Sequence, residues 1–218
     1  MVSAVITAAG KNRRMIADLK SRGMKIDHKL LMELNNKTVI IQTIENVLES
    51  GVNHCIVVLG HFSDEIYPVI EDINDKRLKI IKNPDSNVEL SETLLNGVKN
   101  SESGLILCVA GDQPTVTVQT FKNMINAAQN YEYPDKIVSV LARKDTGLLK
   151  SAEGLGMPFL CHSDLLLKYL PYHKDNLNPV LLEMIGDGIV FCGVPPINKL
   201  ELININTYQD YLDIKNQG

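Results

Sequence analysis

The chain has 218 residues, 44% of them hydrophobic, and a formal net charge of −4 at pH 7. That is enough apolar material for a full core, and one domain over residues 1–218 is the expected organisation. The acidic balance argues against a general nucleic-acid or anionic-membrane binder, and no apolar run approaches the ~20 residues of a membrane span. Lys11, Arg13 and Arg14 follow the first apolar run instead of preceding it. That is not the layout of a secretory leader, so a cytoplasmic location is expected. Of the four cysteines, Cys55, Cys108 and Cys192 lie inside apolar runs and read as buried free thiols. With Cys161 they form no CxxC pair, which argues against a metal or disulfide framework.

In chain order, the first element is the apolar run Val2–Thr7, a β-type segment that empties into Ala8, Ala9 and Gly10. A buried strand ending in a small-residue turn puts backbone N–H groups into an open crevice. The three cations just beyond add charge where a phosphate chain could lie. Residues 16 to 28 are polar, charged and interrupted by Gly23, and read as a mobile loop, with a short helix as the alternative. Thr38–Ser50 carries helical periodicity and stops at Gly51. Strand-length apolar runs follow at His54–Leu59 and Leu78–Ile81, and a helix is expected over Ser91–Ser101 with Ser91 as its N-cap. The run Leu105–Ala110 stops at Gly111 and is followed at once by Asp112, Gln113 and Pro114, the proline barring continuation of the strand. Beyond it come a helix over Thr117–Asn130, a strand over Lys136–Leu141, a helix over 176–185 and a strand over Gly188–Val194.

This alternation predicts an α/β fold: a Rossmann-like, mostly parallel sheet with helices on both faces. Ligands on such sheets sit beyond the carboxyl ends of strands. Gly10 and Asp112 each follow such an end, so they can share one crevice. One strand delivering donors and cations, and another delivering an acid, suggest a bound polyphosphate with its Mg²⁺. A dinucleotide-binding dehydrogenase is disfavoured, because no GxGxxG follows the first strand. His28, His54, His162 and His173 show no metal-ligand spacing, and His61 reads as a satisfied structural histidine.

The stretch Thr7-Ala8-Ala9-Gly10-Lys11-Asn12-Arg13-Arg14-Met15, followed by Lys29-Leu30-Leu31, resembles the signature of the nucleotidyltransferase superfamily that activates sugars and cofactors with NTPs (the nucleotide-diphospho-sugar transferase type). Within it the chain is most similar to the molybdenum cofactor cytidylyltransferase group. Ala9 stands where guanylyltransferase relatives carry a second glycine, and Gly111-Asp112-Gln113-Pro114 where they carry GDMP. Leu59-Gly60-His61, Asn83-Pro84-Asp85, the Ser91, Thr93, Leu94 start, Gly156-Met157-Pro158 and Asn204-Ile205-Asn206-Thr207 with Asp210 fall in the family's order.

The resemblance implies transfer of CMP from CTP to the terminal phosphate of a molybdopterin-type cofactor, releasing pyrophosphate. It implies that Ala8, Ala9 and Gly10 cradle the nucleotide with Ser91, Thr93 and Gln113. It sets Arg14 and Lys29 on the phosphates, and Asp112 on Mg²⁺ with Asn206 as second ligand. Lys29, Arg14 and Asp112 form the implied catalytic set. A molybdenum hydroxylase apoenzyme is an implied transient partner.

Three departures stand out. Thirteen residues, 16 to 28, separate Met15 from Lys29, where the motif leaves only about three or four, so Lys20 and Lys25 compete for the lysine's role. Glu89 occupies the place of a small glycine. Asn206 replaces an aspartate, and Asn-x-Asn-Thr is also an ordinary helix-capping sequence. The rival expectations are transfer to a sugar or polyol phosphate, with the 156–158 turn and the 176–185 helix lining the acceptor half, and a non-catalytic cofactor carrier.

Overall fold

The computed structural model describes residues 1–85, 87–174 and 176–217. Its centre is β1 (Val2–Ala8), all seven residues buried. β1 pairs in parallel with β4 (His54–Leu59) on one side and with β6 (Leu105–Ala110) on the other. Strands covered on both faces read as unbroken apolar runs. β5 (Leu78–Lys82) extends the sheet beyond β4. Beyond β6 the order continues through β9 (Phe159–His162), β7 (Ile137–Leu141), β10 (Val190–Val194) and the edge strand β8 (Gly147–Leu149). Only β9 and β8 run antiparallel to their neighbours, so the eight-stranded sheet is mostly parallel, as expected.

Helices cover both faces. On one face lie α1 (Arg13–Ser21), α2 (Val39–Glu49), α3 (Ser63–Ile70), α5 (Val118–Gln129) and α8 (Tyr208–Lys215). Met15, Ile40, Ile66, Phe121 and Tyr211 bring them onto a core that includes Ala4, Ile6 and Val57. The other face carries α4 (Leu90–Lys99), α6 (Ser163–Tyr169) and α7 (Leu177–Gly186), which pack Leu94, Leu166 and Leu181 against a core with Val5, Ile56 and Val58. A short hairpin of β2 (Glu33–Leu34) and β3 (Lys37–Thr38) precedes α2. No helix among the described residues is long and apolar enough to cross a membrane.

Two expectations change. Residues 16 to 28 are not a loop throughout: the short-helix alternative holds for their first part, where α1 runs to Ser21 and buries Met15 and Leu19, and only the stretch after it is turn and coil. Helix α4 is capped by Glu89, whose side chain accepts from the N3 backbone while Glu92 accepts from the Glu89 N–H. Ser91, expected as the cap, is buried inside the helix and donates to the Asn176 carbonyl (3.3 Å). All four cysteines are free; Cys55, Cys108 and Cys161 are buried and Cys192 half-buried. Burial pushes the Cys55 thiol up to about 12 and those of Cys108 and Cys161 upward as well, so none is poised as a nucleophile.

The register decides where the loops emerge. Thr7 lies opposite Ala110 and Ala8 opposite Leu59, so β1, β4 and β6 end at one level. The chain visits β4 and β5 on one side of β1 before crossing to β6 on the other. The carboxyl ends of β1 and β6 therefore flank the point where strand order reverses.

Gly97 of α4 sits directly on this part of the sheet. A Cβ there would overlap Val5 Cγ1 and come within 3.0 Å of Val58 Cγ2. Gly97→Ala should gain about 1 kcal/mol in helix propensity and lose about 1–3 kcal/mol to overpacking. A net loss of stability is expected in urea unfolding; equal or higher stability would contradict this packing.

Candidate functional site

Beyond these strand ends lies a crevice of about 390 Å³. Ala8, Ala9 and Gly10 form one wall, continued by Lys11, Arg13 and Arg14. The turn can lie this close to the end of β4 because Gly60 follows that strand. A Cβ on Gly60 would stand 2.5 Å from the Ala9 Cβ. Asn12 adopts a left-handed conformation (φ 53°) to start α1, and its Nδ2 donates to the Asp27 carbonyl (3.3 Å). At the outer end of the insertion, the Asp18 carboxylate accepts the Tyr208 backbone N–H (2.9 Å). The insertion thus leaves and returns to the same turn.

That return decides among the lysines. Lys29 lines the crevice at the start of a short 3₁₀ turn, Lys29–Leu31. Lys25 is exposed and paired with Asp27 (3.3 Å), and Lys20 is exposed, both outside the crevice. The Lys29 ammonium donates directly to Asp112 Oδ2. Their side chains are only 15% and 13% exposed, so the pair is largely withdrawn from water. Asp112 Oδ1 is buried without a hydrogen-bond partner among the described residues.

The loop carrying Asp112 is fixed from three directions. Gly111 donates to the Thr7 carbonyl (2.9 Å), and Thr43 Oγ1 of α2 donates to the Gly111 carbonyl (3.1 Å). Asn46 Nδ2 donates to the carbonyls of Pro114 and Val116, each at 3.0 Å. The Ile205 N–H donates to the Asp112 carbonyl (3.0 Å), and the flanking Asn204 and Asn206 line the crevice with Asp112. Arg143 holds that segment in turn, donating to the carbonyls of Leu202 and Met157 (2.5 and 3.5 Å). Glu201, fully buried, accepts from the N–H groups of Thr117 and Ile197 and from the Thr120 hydroxyl, all within 3 Å.

Several sequence-derived candidates lie elsewhere. Gln113 does not line the crevice: it is fully buried, accepts from the Ala110 N–H (3.1 Å), and donates to the Met157 carbonyl (2.9 Å) and Asn204 Oδ1 (3.1 Å). It fastens three loops together. Ser91 is also outside the crevice, whereas Thr93 lines it and accepts from Asn83 Nδ2 (2.9 Å). Neither the 156–158 turn nor α7 lines the crevice; its far wall is Val88, Glu89 and Leu90 at the start of α4. Glu89 lies 3.6 Å from Lys11, so the unusual carboxylate meets a cation across the opening. Asn206 lines the wall, but Thr207 and Asp210 cap α8.

The residues fit a divalent cation that arrives with a polyphosphate. No group of three or more His, Cys, Asp or Glu suited to a metal occurs among the described residues. Mg²⁺ needs only one or two protein oxygens besides phosphates and waters. The orphan Oδ1 of Asp112, with Asn206 lining the same crevice, supplies that number.

Sequence reasoning passed over His28. It lines the crevice, is nearly fully buried, and its Nδ1 accepts the Leu30 N–H (3.2 Å). Its ring packs on Phe62 (centroids 4.5 Å). Only its position next to Lys29 hinted at this.

A cation-lined turn and a carboxylate facing each other across a topological switch point define an α/β protein of the nucleotide-binding class. Residues 4–183 match the MobA-like NTP transferase domain, and the chain belongs to that family. It is 40% identical to a nucleotidyl transferase from Methanothermobacter thermautotroptrophicus, across 100% of this chain and 97% of that one, with a TM-score of 0.92. Bifunctional protein GlmU of Staphylococcus epidermidis is 24% identical over 210 residues, 95% of this chain and 43% of that protein. The chain spans less than half the length of the curated relatives it matches. The 4-diphosphocytidyl-2C-methyl-D-erythritol synthase of Anaerococcus prevotii shares the fold at 18% identity, covering 100% of this chain and 95% of that one (TM-score 0.70).

Burial, and next the Lys29 ammonium, hold the His28 imidazole down at about 4, against an ordinary 6.5. Between these values the unfolded chain binds a proton that the native ring refuses, so stability falls as pH drops from 6.5 toward 4. The loss is at most about 3 kcal/mol, at roughly 1.4 kcal/mol per pH unit. His28→Asn keeps a capping acceptor and should remove this part of the acid dependence. Urea unfolding at pH 7 and pH 4.5 tests it; equal losses in both proteins would contradict the assignment.

Proposed function

We propose that the protein transfers CMP from CTP to the terminal phosphate of a molybdopterin-type cofactor, with Mg²⁺, releasing pyrophosphate. The observation that carries nucleotidyl transfer is the Lys29–Asp112 pair with its free carboxylate oxygen, set opposite the Ala8–Gly10 turn. The choice of CTP and cofactor rests on the resemblance around Ala9 and Asp112; Gln113, turned into the core, lends it only indirect support. Transfer to a sugar or polyol phosphate is the second reading. It draws on the fold neighbour named for a diphosphocytidyl-methylerythritol product.

The chemistry follows from charge. A phosphate attacking a triphosphate brings two polyanions together, so the site must first offset their repulsion. Mg²⁺, when bound, supplies divalent charge at the phosphates, and Asp112 Oδ1 and Asn206 are the groups that would hold it. Lys29 exchanges Asp112 for phosphate oxygens, while Lys11, Arg13 and Arg14 add charge along the chain. An acceptor phosphate oxygen attacks the α-phosphorus in line. The bond to the bridging oxygen of the β-phosphate breaks, and pyrophosphate leaves with the electron pair. The nucleophile is already anionic, so the residues act by positioning and charge stabilisation, with no general base.

Asp112→Asn should lower turnover by about 100-fold or more while the protein stays folded by circular dichroism, as expected for a lost electrostatic contact at the reacting phosphates. Lys29→Ala should cost roughly 2–4 kcal/mol of barrier, while Lys25→Ala stays near wild type. Loss in Lys25→Ala instead would overturn the choice of lysine. The defining assay is pyrophosphate release with Mg²⁺, each NTP in turn, and either molybdopterin cofactor or sugar and polyol phosphates. CTP-selective release that requires the cofactor supports the first reading. Release with a sugar or polyol phosphate alone replaces it with the second, and CTP binding without release from any acceptor points to a carrier.

A further inference from the structure

Gln113 does not reach the crevice, yet its hydrogen bonds decide what one crevice wall offers a ligand. The Ala110 N–H can only donate, so the Gln113 group that meets it is Oε1 (3.1 Å). That turns Nε2 toward the Met157 carbonyl (2.9 Å), which can only accept, and toward the Asn204 side chain (3.1 Å). The Asn204 amide therefore has one orientation, with Oδ1 on Gln113 and Nδ2 on its other edge. Asn204 lines the crevice and is half-buried. Its Nδ2 has no hydrogen-bond partner among the described residues and is not shut off from solvent. Asn206, also half-buried on the crevice wall, is set the opposite way: its Nδ2 donates to the Asn204 carbonyl (3.3 Å). That leaves Oδ1 as its free group, again not shut off from solvent. Ile205 between them is fully buried, and its N–H donates to the Asp112 carbonyl, which fixes both neighbours to the metal-side loop. One asparagine thus offers the crevice a donor and the other an acceptor.

We propose that Gln113 is a positioning residue for the nucleotide: it turns the Asn204 amide so that Nδ2–H donates to a non-bridging phosphate oxygen. This rests on the nucleotide site proposed above. An amide free to turn over would present Oδ1 half the time, and that oxygen repels the phosphate that Nδ2 attracts. Gln113 removes the choice and makes Asn204 a donor only. The pair then matches a metal–phosphate complex, with the Asn206 oxygen suited to the cation and the Asn204 hydrogens to the anion. Gln113 acts on the ligand entirely through buried bonds, from a position that no ligand touches.

A double-mutant cycle separates this role from the fastening of loops. Asn204→Ala removes the amide, and Gln113→Met fills the same space without orienting anything. Calorimetric titration with the Mg²⁺ complexes of CTP, GTP, UTP and ATP reads each variant, alongside thermal melts. Asn204→Ala is expected to bind its preferred NTP about tenfold more weakly, the size of one charge-assisted hydrogen bond. Gln113→Met should cost about threefold or more in the wild-type background but less than about twofold in Asn204→Ala, although it lowers melting in both. A third variant, Asn204→Asp, keeps an oxygen for Gln113 and sets another where Nδ2 stands. It should bind metal-free CTP more weakly than Asn204→Ala does. ¹H–¹⁵N NMR of the wild type needs no variant: the Asn204 side-chain amide signal should shift on saturation with nucleotide. Wild-type affinity in Asn204→Ala, additive losses in the cycle, metal-free binding by Asn204→Asp as tight as by Asn204→Ala, or an unmoved amide signal would each overturn the inference while leaving the nucleotide site standing. If no NTP binds the wild type, the nucleotide site itself falls, and this inference with it.

Discussion

An ammonium and a carboxylate taken mostly out of water are stable only when they meet, and Lys29 and Asp112 meet at the mouth of the β1–β6 crevice. They come from segments 83 residues apart, so the contact ties the insertion to the loop after β6. The pairing is incomplete, because one carboxylate oxygen stays buried and unpaired. A site that neutralises its own charges yet leaves an acceptor oxygen unpaired is suited to a ligand bringing both a cation and an anion. That is the physical content of the proposed Mg²⁺–nucleotide complex: metal for the carboxylate, phosphate for the ammonium.

The rest of the fold holds those two groups in place with buried polar contacts. Gln113 joins the end of β6 to the Met157 and Asn204 loops. Glu201 joins the C-terminal segment to the start of α5. Arg143 lies partly buried without a carboxylate partner among the described residues, and desolvation lowers its proton affinity; its guanidinium is directed at backbone carbonyls of two loops. These contacts cluster at the carboxyl end of the sheet, where loops leave regular structure and backbone groups need other partners. Rigidity there serves catalysis by positioning, since a phosphoryl-type transfer gains most from groups already in line.

Much of this was legible in the sequence. β1, β4 and β6 are apolar because both faces are covered, and the turn residues Gly10 and Gly111 mark their ends. What escaped depends on long-range contacts. Residues 13–21 form a helix that leans on α8 through Asp18 and Tyr208, and nothing local announces that support. The choice of Lys29 over Lys25 likewise follows from the Asn12–Asp27 bond that returns the insertion to the turn. α3 was hidden by Pro68 inside eight residues, and β9 by its four-residue length. Gln113 shows the limit of motif reading: its place beside Asp112 is right, but its side chain turns inward. The Glu89-x-x-Glu92 cap left a readable sign, since an acidic N-cap with an acid at N3 satisfies two orphan N–H groups reciprocally.

Calorimetric titration of CTP into the wild type and Asp112→Asn, each with and without Mg²⁺, tests most directly whether Asp112 and Lys29 divide metal and phosphate between them. Mg²⁺ should tighten CTP binding to the wild type and leave Asp112→Asn nearly unaffected, while the variant's metal-free affinity equals or exceeds that of the wild type, because a carboxylate no longer competes for Lys29. An undiminished Mg²⁺ effect in Asp112→Asn would contradict that division and place the metal elsewhere in the crevice.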